Sequence, residues 1–395
     1  MATTHIMRSE FETIPIDRTT IPQCDLDIDN KTRSNLFSWN GQFSPQFIET
    51  LLKRYSQSSD YVLDPFVGSG TTLFEAARKG LAAYGMELNV SAYFMAKTYE
   101  LTNRTFPERE ALVQNVEHTL SDISAMDGIL PIITETIRKD SDSDLANLLS
   151  TLVILLDIPN NELNASSLFR KWESLKRIVL EIPFSTSPIR IDRGDARNLN
   201  CSNDTATLLI TSPPYVNVFN YHQKYRHSVE ALGYDVLEIA KNEFGSNRKN
   251  RGNRLLTVIQ YCIDMALSFE EAIRACKEGA RMIYVVGRES TVLGYPFCNS
   301  QLIFEIATQI FELPLLLRQE RVFKNRYGQL IYEDILHFEN TNTNERDGYD
   351  RIVAAARSIA VRMLAEKAQM YPNSDNIDFI FEAIEKSQEV NRSEA

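Results

Sequence analysis

Short apolar runs alternate with stretches of helical period along the chain, an order that points to an α/β sheet. Tyr61–Asp64, Ala83–Glu87, Thr207–Thr211, Arg281–Gly287 and Tyr332–Phe338 read as strands, with one more starting near Ile189. Upstream of the first, Ile48, Leu51, Leu52 and Tyr55 fall at i, i+3, i+4 and i+7. That spacing predicts an amphipathic helix, with Ser44 as its N-cap and Pro45 at its first position. A second helix is expected over Leu255–Cys276, with Ile259, Ile263, Ala266 and Ile273 on one face. Between Glu87 and Ile189 no strand pattern is visible, whereas Leu112, Val116, Leu120 and Ile123, and again Leu168, Trp172, Leu175 and Val179, have helical spacing. Loops inside a compact sheet run to ~2–6 residues, so residues 101–188 are expected to form a helical insertion. Beyond Asn340 a helical middle, Ile352–Met370, precedes a polar tail expected to be loose.

Composition changes this picture little. The chain of 395 residues is 43% hydrophobic and 24% charged, ordinary for a globular protein. Its longest mid-chain apolar run, Leu152–Leu156, is far short of the ~20 residues a membrane span needs, and no signal peptide is read at the N-terminus. No membrane association is expected. The cysteines, Cys24, Cys201, Cys262, Cys276 and Cys298, are odd in number, scattered and without a CxxC pair. They suggest neither a disulfide framework nor a zinc site, no metal is expected, and a reducing, cytoplasmic compartment follows. A net charge of −11 argues mildly against nucleic acid as a partner. Two local runs soften that argument: Lys241–Arg254, with five Lys or Arg against one Glu, and Arg318–Arg326, with four against one. Either could hold a polyanion at one face, or both could be solvated loops.

Candidate chemistry sits in two short stretches. Val62–Thr72 (VLDPFVGSGTT) is a strand, a tight turn with Gly68 and Gly70, and the start of a helix. Glycine there permits positive φ and lets a ligand approach without a Cβ in the way. A phosphate loop needs a lysine that is absent between Gly68 and Arg78, and a dinucleotide fingerprint needs a small residue where Leu73 stands. A nucleoside suits the pattern better, because Glu87, one βαβ step on, could accept both ribose hydroxyls. Asp195 in Arg193–Arg197 follows a third strand and could accept an adenine amino group. The second stretch, Thr211-Ser212-Pro213-Pro214-Tyr215, follows a strand at its carboxyl end, where open α/β sheets place their sites.

Both stretches resemble the signatures of DNA amino-methyltransferases. Val62–Thr72 is similar to that family's S-adenosylmethionine loop, a strand followed by Asp-Pro-Phe-x-Gly-Ser-Gly-Thr. The resemblance implies a Rossmann-like methyltransferase fold: a mostly parallel seven-stranded sheet with an antiparallel last strand. It implies cofactor contacts from Asp64, Pro65, Phe66, Gly68, Gly70, Thr71 and Thr72, from Glu87, and from Asp195 and Ala196. A looser match over Asn40–Pro45 adds Phe43. The tetrapeptide Ser212–Tyr215 would be catalytic. An exocyclic amino nitrogen is a poor nucleophile because its lone pair is delocalised into the ring. Acceptors aimed at its hydrogens, here the Ser212 hydroxyl and the Pro213 carbonyl, would stabilise the charge that grows during attack. Pro213 and Pro214 stiffen the turn, and Tyr215 offers a face on which an extruded base can stack. Methylation at cytosine C5 would need a cysteine after a proline, and none of the five is so placed.

On this view residues 1–35 are an N-terminal arm, 36–100 and 189–340 the methyltransferase domain, and 341–395 a helical extension. The order of the signatures, loop first, is the reverse of that usual for this loop wording; circular permutation of the sheet accommodates it. Only about sixteen residues separate Asp195 from Thr211, too few for target recognition. Recognition is therefore expected in 222–256, through Arg248, Lys249, Arg251 and Arg254, in the 101–188 helices, or in both. Ser212 at the head of the tetrapeptide favours cytosine N4 as target. Adenine N6, an RNA amino group, and binding of DNA without catalysis remain alternatives. Double-stranded DNA and a cognate restriction endonuclease are the partners the resemblance suggests.

Overall fold

The computed structural model describes residues 10–124, 128–140, 143–157, 164–216, 221–245, 250, 252–325, 327–341 and 348–392. Its strands are β1 (Tyr61–Asp64), β2 (Ala82–Glu87), β3 (Ile189–Arg193), β4 (Ala206–Thr211), β5 (Cys276–Gly287), β6 (Glu289–Val292), β7 (Tyr295–Cys298), β8 (Leu315–Lys324) and β9 (Leu330–Glu339). Seven of them form one sheet in the order β3-β2-β1-β4-β5-β9-β8, and β6 and β7 form a separate hairpin. Pairs from β3 to β5 are parallel; β9, last in the chain, runs antiparallel to both β5 and β8. This is the Rossmann-like methyltransferase arrangement expected from the sequence.

Alternation along each strand divides the core into two faces. Val62, Leu208, Ile210, Ile283 and Val285 pack with Phe47, Ile48, Leu51, Leu52, Leu73 and Ala76 of the helices Pro45–Tyr55 and Thr71–Lys79. Leu63, Leu209, Met282 and Tyr284 face the helices Leu256–Ala275 and Tyr349–Met370 instead. Covered on both sides, β1, β4 and β5 are continuous apolar runs, which is why they were legible. Ser44 does stand at the N-cap of Pro45–Tyr55, but its hydroxyl makes no capping bond.

Residues 101–188 hold four helices, Phe106–Ser124, Ile129–Lys139, Asp144–Leu156 and Ala165–Glu181, and no strand among the described residues. Leu168, Trp172, Leu175 and Val179 are buried with Val116, Leu120 and Ile123 in a second cluster that also takes in Phe74, Val90 and Phe94 from beside the sheet. Val229 and Val236, on the helices Arg226–Ala231 and Val236–Asn242, join the same cluster. The two segments expected to share target recognition thus pack on each other.

Two expectations need correction, and the N-terminal arm gains a role. The run Arg318–Arg326 is no solvated basic patch: Arg318 to Lys324 lie on β8, and Arg318, Gln319, Glu320 and Arg321 are all buried. Arg318 pairs with Asp334 at 3.0 Å and donates to the Phe11 carbonyl, while Arg321 pairs with Glu333 at 3.2 Å. Charge masked this strand, because Arg318 and Arg321 find their anions on the neighbouring β9; Arg326 lies outside the described residues. The N-terminal arm is structural. It covers the edge strand β8 through Asp17 N to the Arg318 carbonyl, Gln23 Nε2 to the Glu320 carbonyl and Val322 N to Asp27 Oδ1, and thereby shields an otherwise open sheet edge. The second correction is that the C-terminal tail carries a helix, Ile377–Glu385, that buries Ile380 and Ala383 in the main core.

Asp334, fully buried between Arg318 and Arg288 (3.0 and 3.1 Å), is where this network is most vulnerable. Asp334→Ala leaves Arg318 buried without its partner and should cost roughly 3–5 kcal/mol, read as a lowered urea midpoint. A change below about 0.5 kcal/mol would show that the pair is dispensable.

Candidate active site

The parallel strands bring the carboxyl ends of β1 to β4 to one side of the sheet, and the strand order switches direction between β1 and β4, where open sheets form a crevice. A cavity opens there. Its wall takes Pro65–Gly68 after β1, Glu87–Asn89 at the end of β2, Gly194–Ala196 after β3, and Ser212 and Pro214 after β4. Both sequence signatures therefore face one space. Of the expected residues, Phe43, Pro65, Phe66, Gly68, Thr71, Glu87, Asp195, Ala196, Ser212 and Pro214 line it. Asp64, Gly70, Thr72, Pro213 and Tyr215 do not.

Those set back hold the wall in place. Asp64 is fully buried and accepts the Thr211 hydroxyl at 2.6 Å and the Phe66 amide at 3.1 Å. Burial raises this carboxyl to about 6. Asp64 thus joins the end of β1 to the residue immediately before Ser212. Gly70, at φ 92°, caps the helix Thr71–Lys79. A Cβ there would come within 2.9 Å of the Ala96 Cα and 2.7 Å of the Tyr99 ring. Its lack of a side chain serves helix packing, not ligand approach. Tyr215 lies half-buried on Gly287, where a Cβ would sit 2.5 Å from the ring. Burial raises its phenol, against the neighbouring Ser212 hydroxyl and Gly287 amide.

Glu87 Oε2 accepts the Gly68 amide and Oε1 the Asn89 amide, each at 2.8 Å. The acid is therefore fixed against the glycine turn. Burial lifts it to about 7, although both amides act to lower it. Asp195 is held by Arg197, whose Nε donates to Oδ1 at 2.8 Å and whose Nη2 donates to Oδ2; Arg197 Nη1 also pairs with the buried Asp264 at 2.5 Å. The same guanidinium lies 4.8 Å from the Phe244 ring, and Phe244 meets Phe66 edge-on at 5.1 Å.

Part of the wall was not singled out from the sequence, although Asn40, Gly41 and Gln42 fall within the loose Asn40–Pro45 match. Trp39, Asn40, Gly41 and Gln42 enter from before the first sheet-packing helix, and Tyr221, Glu243 and Phe244 from after the tetrapeptide. Trp39 stacks on Tyr221 and Tyr225, with Lys224 over its ring and bonded to the Ser38 carbonyl at 2.7 Å. Gln42 receives the Ser69 hydroxyl, and Asn35 ties Thr71 to the Phe43 carbonyl. None of these added residues was singled out from the sequence; the rarity of Trp39, one of two tryptophans in the chain, is the one signal that could have marked it. Of the basic residues proposed for DNA, Arg248, Lys249 and Arg251 lie outside the described residues, and Arg254 is half-buried just before the helix Leu256–Ala275.

The cavity's chemistry selects its ligand class. Its lining includes Glu87, Asp195 and Glu243 but, among the described residues, no Lys or Arg. Phosphates would be repelled, whereas a hydroxyl- and amine-rich nucleoside carrying positive charge fits. The sheet order is that of Rossmann-like methyltransferases, and the cavity's lining suits S-adenosylmethionine. Within that class, residues 23–98 match the N6/N4 methyltransferase family, described as DNA methylase. The Type II methyltransferase M.MjaII of Methanocaldococcus jannaschii is 39% identical over 51 residues, 13% of this chain and 10% of that protein. The Type II methyltransferase M.BsoBI of Geobacillus stearothermophilus is 19% identical over 65% of this chain and 74% of its own length. A solved S-adenosylmethionine-dependent methyltransferase of Methanosarcina mazei overlaps 73% of this chain and 96% of its own at 10% identity, with a TM-score of 0.35.

The raised Glu87 acid has a signed consequence. The folded carboxyl keeps its proton to about pH 7, while the ordinary value is 4.5, so its contribution makes the ligand-free fold lose stability as pH rises through that window. Glu87→Gln should flatten the fall in urea midpoint between pH 5 and pH 8. An unaltered pH slope would mean that the carboxyl titrates normally.

Proposed function

We propose that this chain is a site-specific DNA methyltransferase that acts on the exocyclic amino nitrogen of a base extruded from the duplex, with N4 of cytosine as target. One observation carries the proposal: a single cavity is bounded by the glycine loop and Glu87 on one side and by Ser212 and Pro214 on the other. The DNA methylase match at residues 23–98 and the two Type II relatives support the DNA amino-methyltransferase class. Serine at the head of the tetrapeptide supports cytosine within it.

When bound, S-adenosylmethionine supplies an electrophilic methyl group. Phe43, Pro65, Phe66, Gly68, Thr71, Glu87, Asp195 and Ala196 would hold it, Glu87 at the ribose and Asp195 at the adenine. Asp195 enters this role already ion-paired, so Arg197 fixes its direction before any ligand arrives. The Ser212 hydroxyl and Pro213 carbonyl accept the hydrogens of the target amine and favour a pyramidal nitrogen. Tyr215, wedged on Gly287, presents its remaining face to the base. Duplex DNA meets the 222–256 region and the packed 101–188 helices, with Arg254 and the basic residues before it on phosphates. A cognate restriction endonuclease acting on the same site, and a cytoplasmic setting, complete the assignment.

Ser212→Ala and Tyr215→Ala should leave S-adenosylmethionine affinity nearly unchanged and cut methyl transfer by about two decades or more. If affinity falls in step with rate, the tetrapeptide is structural. Digestion of methylated duplex DNA to nucleosides, followed by mass spectrometry, should yield N4-methylcytosine. N6-methyladenine as sole product would move the target and keep the enzyme class; 5-methylcytosine would end both.

A further inference from the structure

Glu243 is the one acid in the basic run Lys241–Arg254, and the fold turns it inward to the cavity wall. It is 9% exposed. Its Oε2 lies 3.1 Å from His222 Nδ1, but its buried Oε1 has no hydrogen-bond partner. A buried carboxylate oxygen left without a donor is costly, and a ligand that brings one removes the cost. Its neighbours say which part of a ligand it meets. On one side Phe244 packs edge-on against Phe66 and lies over the Arg197 guanidinium that holds Asp195. On the other, the charge of Glu243 is felt at Glu87, and Tyr221 feels both acids. Glu243 therefore shares one cavity wall with Phe66, Phe244 and Asp195 and with the acid suited to a ribose.

We infer that Glu243 is a second ribose acceptor: Glu87 and Glu243 each take one hydroxyl of the nucleoside diol. The inference rests on the assignment of this cavity to S-adenosylmethionine. Each Glu87 oxygen already accepts a backbone amide, which leaves it less capacity than the free Oε1 of Glu243. The acceptor is delivered by the chain segment that follows the catalytic turn, so cofactor binding also draws that segment against the cavity.

Calorimetric titration of the full chain with S-adenosylmethionine and its 2′-deoxy and 3′-deoxy analogues tests this. Glu243→Gln should bind S-adenosylmethionine about tenfold more weakly, as loss of a hydrogen bond to a charged group does. One of the two deoxy analogues should bind wild type and variant equally, because the hydroxyl that Glu243 serves is gone. Glu243→Asp, which keeps the charge near His222, should show the same pattern if Glu243→Gln fails to fold. Equal affinities of wild type and variants for S-adenosylmethionine, or a loss that persists with both analogues, would overturn the inference. Absence of S-adenosylmethionine binding by folded wild type would instead overturn the cavity's assignment.

Discussion

The bond from the Thr211 hydroxyl to Asp64, 2.6 Å long and fully buried, is the constraint on which the site depends. β1 and β4 are adjacent parallel strands, and a sheet ladder alone fixes their register but not the paths of the loops beyond them. Asp64 settles both paths at once. One oxygen takes the Phe66 amide and turns the chain into the glycine loop, while the same carboxyl grips the residue ahead of Ser212. Two chemistries that must meet within bonding distance are thus hung from one buried group. The burial that raises this carboxyl to about 6 is the energetic cost of that arrangement.

What was legible in the sequence follows from how each part is built. Strands covered on both faces announce themselves by composition, so β1, β4 and β5 were found. β8 was not, because its buried charges are neutralised by Asp334 and Glu333 on another strand, and that pairing exists only once β9 has come alongside. The site divides in the same manner. Residues directly after the four parallel strands sit at fixed offsets from a pattern, so Gly68, Glu87, Asp195 and Ser212 could be placed by counting. Trp39, Tyr221, Glu243 and Phe244 reach the cavity through tertiary packing, for which no local spacing exists. Glu243 was hidden further, inside a run whose charge suggested solvent. Gly70 was marked correctly as special for a reason the fold replaces: the helix at Ala96 occupies the space a Cβ would need.

Two additions make the sheet usable. The N-terminal arm occupies the outer edge at β8, far along the sheet from the cavity, so its bonds stabilise without obstructing. The helices of 101–188 build a second core that reaches Val229 and Val236. Any displacement of those helices is consequently felt by the segment that carries Glu243 and Phe244.

The two tryptophans occupy opposite situations. Trp172 is sealed in the helical cluster, whereas Trp39 lies on the cavity wall, stacked with Tyr221 and Tyr225 beneath the Lys224 ammonium. The chain's ultraviolet emission is accordingly a sum of a constant background and one indole whose quenching depends on who occupies the crevice. Trp172→Phe would leave a single indole, on the cavity wall, which excitation beyond the tyrosine band would single out to time the arrival of a ligand without any attached dye.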